Sequence, residues 1–160
     1  MTLKTLRLVN LVLTGVLAGN EVGGRTVVHP ALDALPASAQ IPAEQELYRR
    51  YGRVMPILMN LAIFSTVPVL SRLRPRNSPA FRFTLAGFGA LLAMLAVTLL
   101  GNMPLNRQIL AFSPQASPEH FRTLRRRWDR LHTIRVILDV AGLILLCLGA
   151  LSRSDAEPAP

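Results

Sequence analysis

The residues best equipped for chemistry lie in the last third of the chain. Trp128, His132, Arg135 and Asp139 follow one another at steps of four, three and four. At about 100° per residue, those steps set all four on one face of a helix. The His132 imidazole suits a general base near neutral pH. The Arg135 guanidinium stays charged, and either holds an enolate or phenolate or pairs with Asp139 one turn on. The Trp128 indole either stacks on a flat substrate or anchors a membrane boundary. Upstream, Asn102-Met103-Pro104-Leu105-Asn106 sets two amides around a proline. Those amides either cap helix ends or orient a phenol or ketone and stabilise an oxyanion. Near the N-terminus, Asn10, Thr14, Glu21 and Arg25 share one helical face, with His29 at its edge. Glu21 is either half of an i,i+4 pair with Arg25 or an inward-facing carboxylate.

The elements that must position these groups are apolar. Of 160 residues, 51% are hydrophobic and 17% are charged, against roughly 25% charged in soluble domains. The apolar residues come in long blocks. The fold class they predict is all-α, a membrane-spanning antiparallel four-helix bundle with spans at about 3–32, 43–70, 83–101 and 118–151. Residues 1–152 form one membrane domain, and 153–160 read as a disordered tail. Residues 33–41 read as a loop, and Pro42-Ala43-Glu44 as the next helix start. His29-Pro30 closes or kinks the first helix. Ser117 is placed to cap the last. The N-terminal apolar run is a retained first span, since Ala18-Gly19-Asn20 is a poor cleavage context. A faint internal repeat pairs Gly19-Asn20 with Gly101-Asn102 and makes each half an αα-hairpin.

The formal charge of +9 is carried almost entirely by arginine. These arginines flank the apolar blocks, as in membrane proteins, and no basic patch interleaved with aromatics points to nucleic acid. The connector 71–82 carries Arg72, Arg74, Arg76 and Arg82 and no acid. Arginines are as numerous on the opposite side, so counting alone does not choose; the weight of the first helix and the shortness of this connector favour both termini on the cytoplasmic side. Cys147 is the only cysteine, so no internal disulfide forms. A homo-oligomer is compatible with the sequence.

Antiparallel spans bring the ends of the first and third beside the starts of the second and fourth. Glu21, His29, Tyr48, Asn102, Asn106, Trp128, His132 and Arg135 all fall at that end. The expectation is one pocket there, just inside the membrane surface. Its catalytic candidates are His132, Arg135, Asn102 and Asn106; its substrate-binding candidates are Trp128, Glu21, His29 and Tyr48. No cofactor is expected. The alternative is a metal at His29, His132 and Glu21, a two-His-one-carboxylate set that nothing in the spacing demands.

The chain resembles the anthrone-oxygenase-like family of small integral membrane proteins. The resemblance rests on Val28-His29-Pro30-Ala31-Leu32, on Asn102 to Asn106, and on Trp128-Asp129-Arg130-Leu131-His132-Thr133-Ile134-Arg135. It covers about Leu8 to Leu151. It implies a four-span bundle and, in members from polyketide pathways, oxidation of an anthrone to an anthraquinone by O2 without a conventional cofactor. Its motifs point to Asn102, Asn106, Trp128, His132 and Arg135.

Two functions are in view. One is a membrane oxidoreductase acting on a flat lipophilic phenol, quinone or anthrone, with the bilayer, an aromatic substrate and O2 as partners. The other is a non-enzymatic membrane binding or accessory protein whose polar cluster is structural. A transporter would need a polar path through the bilayer, and the third span offers only Thr84 and Thr98.

Overall fold

Four helical rods pack side by side, and two of them are broken by a π-turn just before a proline. The computed structural model describes residues 1–113 and 117–152. The first rod is α1 (Leu3–Gly23), a π-turn (Gly24–Val28) and α2 (His29–Asp33). The second is α3 (Ala37–Arg72). The third is α4 (Pro79–Val97), a π-turn (Thr98–Asn102) and α5 (Met103–Leu110). The fourth is α6 (Pro118–Leu151). No strand occurs among the described residues. The sequence-predicted tail 153–160 lies outside them.

The π-turns have a common cause. Proline has no N–H to donate and crowds the preceding turn. In each rod the backbone widens by one residue first: the His29 amide donates to the Gly24 carbonyl, and the Met103 amide to the Thr98 carbonyl. The following proline, Pro30 or Pro104, then sits in the first turn of a new helix, where its missing N–H costs nothing. His29-Pro30 therefore follows an interruption of the rod without ending it; the chain runs on as helix to Asp33. Both rods carry the same device, but in a register that sets Pro30 against Pro104 and not Gly19-Asn20 against Gly101-Asn102.

Two boundaries differ from the sequence reading. α3 begins at Ala37, not Ala43, so most of the predicted loop is helical and Pro42 lies inside it. Packing outweighs the hydrogen bond lost at Pro42. Ile41 is fully buried against Ile109 and Phe121, and the Gln40 amide donates to Asp33 and Glu44. α4 begins at Pro79, capped by the Ser78 hydroxyl, which accepts from the Phe81 amide. Ser117 makes no side-chain cap on α6.

α3, the α4–α5 rod and α6 are each long and apolar enough to cross a membrane. Large apolar side chains such as Val54, Ile57, Phe64, Leu92, Ile137 and Ile144 point outward from them. That is the pattern of a membrane protein, not of a water-soluble bundle. The first rod does not qualify on composition: its uncharged run is only 8–20, between Arg7 and Glu21. Both of those charges turn inward.

The tightest seam joins α4 to α6 through glycines. A Cβ on Gly87 would lie 2.9 Å from the Leu146 side chain and 3.0 Å from the Gly142 carbonyl, and one on Gly149 would lie 2.5 Å from the Thr84 hydroxyl. Small residues at such a crossing let backbones approach in lipid, where no hydrophobic force drives helices together. Gly87→Ala and Gly149→Ala are each expected to cost about 1–3 kcal/mol and to lower the unfolding temperature in detergent. Gly89→Ala, whose methyl meets nothing within 4 Å, should leave it unchanged or slightly higher.

Candidate functional site

A cavity of about 260 Å³ lies at the end of the bundle where both π-turns occur. That is near the lower end of small-molecule pockets, roughly 300–1,000 Å³. It suits a compact ligand. Its three walls differ in chemistry.

The polar wall is built by α1 and α6. Glu21 is buried and accepts a hydrogen bond from Arg135 through Oε1. Its other oxygen lies 3.2 Å from His132 Nδ1, at ion-pair distance rather than in an aligned hydrogen bond. His132 Nε2 is buried and has no protein partner. It faces Gly24, where a Cβ would come within 3.6 Å of it. Two pairings open in the sequence are thereby decided. Arg135 goes to Glu21 and not to Asp139. Arg25 leaves Glu21 and donates to the Thr133 hydroxyl at 3.0 Å, outside the pocket. Asp139 is fully buried, with both carboxylate oxygens unpartnered.

The aromatic wall is a stack. Trp128 is buried, not a boundary anchor. Its ring packs on His132 at 4.7 Å between centroids, nearly parallel, and tilts against His29 at 4.7 Å and Tyr48 at 5.4 Å. The Trp128 indole N–H donates to Asn106 Oδ1 at 2.6 Å. An indole nitrogen only donates, so this bond fixes the Asn106 amide and leaves its NH2 as a donor. The third wall is apolar and adaptable: Leu47, Met55, Met59, Met103 and Leu110.

One expected site residue falls elsewhere. Asn102 is fully buried, does not line the cavity, and donates to the Trp128 carbonyl at 3.4 Å. The π-turn rotates it behind the wall while Asn106, one turn later, faces in. The alternative metal set also fails to assemble. Among the described residues no three His, Cys, Asp or Glu groups converge. Arg125 donates to His29 Nδ1 at 3.4 Å, and Glu21 is taken up by Arg135 and His132.

Arg125 is the residue that the sequence reading missed. Its guanidinium is buried above the aromatic stack, 5.2 Å from the Trp128 ring centroid. It pairs with Glu44 at 2.8 Å, Asp129 at 3.1 Å and Asp33 at 3.5 Å, and donates to the Tyr48 hydroxyl at 3.3 Å. One side chain thus ties α2, α3 and α6 together over the pocket. The signal was present: Arg125 is three residues before Trp128 and extends its helical face by a turn.

The family model described as anthrone oxygenase matches residues 45–145, more than half of the chain. No curated protein and no solved structure matches. The matched segment contributes Tyr48, Asn106, Trp128, His132 and Arg135 to the cavity; Glu21, Gly24 and His29 come from the rod before it.

Glu44 and His29 lie on helix ends beyond the uncharged membrane stretches. Burial pushes the Glu44 carboxyl up to about 7, against the pull of Arg125. Burial pushes His29 down to about 3, and Arg125 adds to the effect. Between 4.5 and 7 folded Glu44 keeps a proton that the unfolded chain releases, so its contribution to stability falls as pH rises through that window. His29 acts in the opposite sense, costing stability as pH falls below 6.5. Glu44→Gln removes the first effect and keeps the second. Raising the pH from about 5 to about 8 is therefore expected to lower the unfolding temperature of the unsubstituted protein relative to Glu44→Gln. An offset constant with pH would mean that Glu44 does not titrate in that window.

Proposed function

The chain belongs to the anthrone oxygenase family, and from that membership we propose that it oxidises a flat, lipophilic anthrone-type or phenolic substrate with O2, using His132 as the base. One observation carries the proposal: a buried imidazole whose Nδ1 faces a carboxylate held by an arginine, and whose Nε2 is unpartnered beside an apolar cavity. The Glu21 carboxylate favours the tautomer with the proton on Nδ1. Nε2 then presents its lone pair to a substrate.

The chemistry balances with O2 as the oxidant. Nε2 takes a proton from the methylene of an anthrone, and the negative charge spreads onto the ring oxygen as an enolate. The Asn106 NH2 and the Arg135 guanidinium are the donors available to stabilise it. The enolate passes electrons to O2, a C–O bond forms, and the protonated His132 returns its proton to the peroxide oxygen to give a hydroperoxide and a free Nε2. Loss of the second methylene proton to His132 breaks the O–O bond. The carbon becomes a ketone, and the departing hydroxide leaves as water with the returned proton. A CH2 group and O2 thus become C=O and H2O. The stacked Trp128, His29 and Tyr48 rings offer a platform for a flat substrate. The methionine-rich wall suits both that substrate and O2.

The reading keeps the orientation set by the 71–82 connector, with both termini cytoplasmic and the pocket toward the opposite leaflet.

The test is oxygen consumption by the purified protein in detergent with an anthrone-type substrate. His132→Ala is expected to reduce the enzymatic rate on the order of 10²–10⁴-fold, and Asn106→Ala by about 10²-fold. Asn102→Ala should lower stability with little effect on turnover. A rate above buffer that survives His132→Ala would sink the base assignment. No excess rate at all, with substrate still bound, would favour a non-catalytic binding protein.

A further inference from the structure

We propose that a shallow groove on the outer face of the α5–α6 corner binds an anionic phospholipid. The groove, of about 430 Å³, is separate from the pocket. Its floor is Leu100, Pro104, Leu105 and Leu131, and its lip is Arg127 and Arg130. The π-turn makes it: widening the backbone at Thr98–Asn102 turns Leu100 outward, where it is 82% exposed.

The charge on the lip is uncompensated because of what happens inside. Asp33, Glu44 and Asp129 all turn to the buried Arg125. Among the described residues no acid pairs with Arg127 or Arg130, which lie three residues apart on the exposed side of the same helix. Two adjacent guanidinium groups match a phosphate, which they can grip through paired N–H donors. Leu131 begins the apolar part of α6, so the lip sits at headgroup depth and the floor at acyl-chain depth. A free phosphate would satisfy the lip and leave the floor bare. A neutral lipid would cover the floor and leave two charges unpaired. An anionic phospholipid satisfies both. The occupied groove would back directly onto the pocket wall, because Arg127 and Arg130 flank Trp128.

The test is native mass spectrometry of the full chain with phosphatidylglycerol, phosphatidylcholine or inorganic phosphate. Arg127→Gln/Arg130→Gln is compared with Arg122→Gln/Arg126→Gln, which removes the same charge outside the groove. All four arginines are exposed, so both proteins should fold. At about 1 kcal/mol per arginine, the groove pair is expected to weaken phosphatidylglycerol binding by on the order of 30-fold, and the control pair by much less. Leu100→Gln should weaken lipid binding but not phosphate binding. Equal losses in the two arginine pairs would show diffuse charge attraction and overturn the proposal. So would equal binding of phosphatidylcholine, or displacement of the lipid by phosphate alone.

Discussion

The structure depends on a carboxylate that hydrocarbon will not accept alone. Taking Glu21 out of water costs several kcal/mol unless the charge is matched and its lone pairs are used. Arg135 matches the charge and donates to one oxygen, and His132, three residues earlier on the same helix, stands 3.2 Å from the other. The match fixes the rotation of α1 and of α6 about their axes and sets the depth at which they meet. Once those are set, the rest of the α6 stripe faces inward as well. Trp128 comes onto His132, and Arg125 comes over Trp128. The site is therefore a by-product of solving an electrostatic problem in lipid. Several buried polar atoms are left without a partner, and His132 Nε2 is the imidazole nitrogen among them at the cavity wall.

Two proline-directed π-turns give that atom a cavity to face. A straight rod would carry its i,i+4 ladder past this level and fill the space with its own side chains. The first π-turn brings Gly24 opposite His132, where a Cβ would stand 3.6 Å from Nε2. The second turns Asn102 behind the wall and leaves Asn106 on it. The same distortion that opens the pocket inside exposes Leu100 outside. Local irregularity of this kind is tolerated at membrane depth only where it lines a cavity or packs against protein, and here it does both.

The sequence made the architecture legible because lipid imposes simple rules on it. Long uncharged runs give the helices, and polar residues spaced at three and four give the inward face of α6. His132, Arg135, Trp128 and Glu21 could be assembled on paper for that reason. What could not be read was set by exchange of partners between rods. Glu21 and Arg25 look like a local pair, as do Arg135 and Asp139, yet the pairing crosses from α1 to α6. Asn102 and Asn106 look equivalent, and only the π-turn separates them. The helical start at Ala37 was hidden by Pro42, because the compensating burial of Ile41 involves residues about 70 positions away. Arg125 was passed over among neighbouring arginines, since nothing local distinguishes the one that is buried from those that are not.

The first rod shows why these pairings cannot be taken separately. By composition α1 is the weakest membrane candidate of the four, and its polar groups lie at three depths. Three of them find a partner on another rod. Arg7 donates to the Gly149 carbonyl near one end of the bundle, Asn10 to Ser65 and Thr66 further in, and Arg135 to Glu21 near the other end. α3 places its two hydroxyls where the Asn10 amide arrives. The buried polar groups of α1 are thus satisfied only when α3 and α6 are packed against it. The family match begins at residue 45, beyond this rod. The part of the chain that the match describes supplies His132, Arg135 and most of the aromatic stack. The carboxylate beside His132 comes from the rod before it, which that part holds in place.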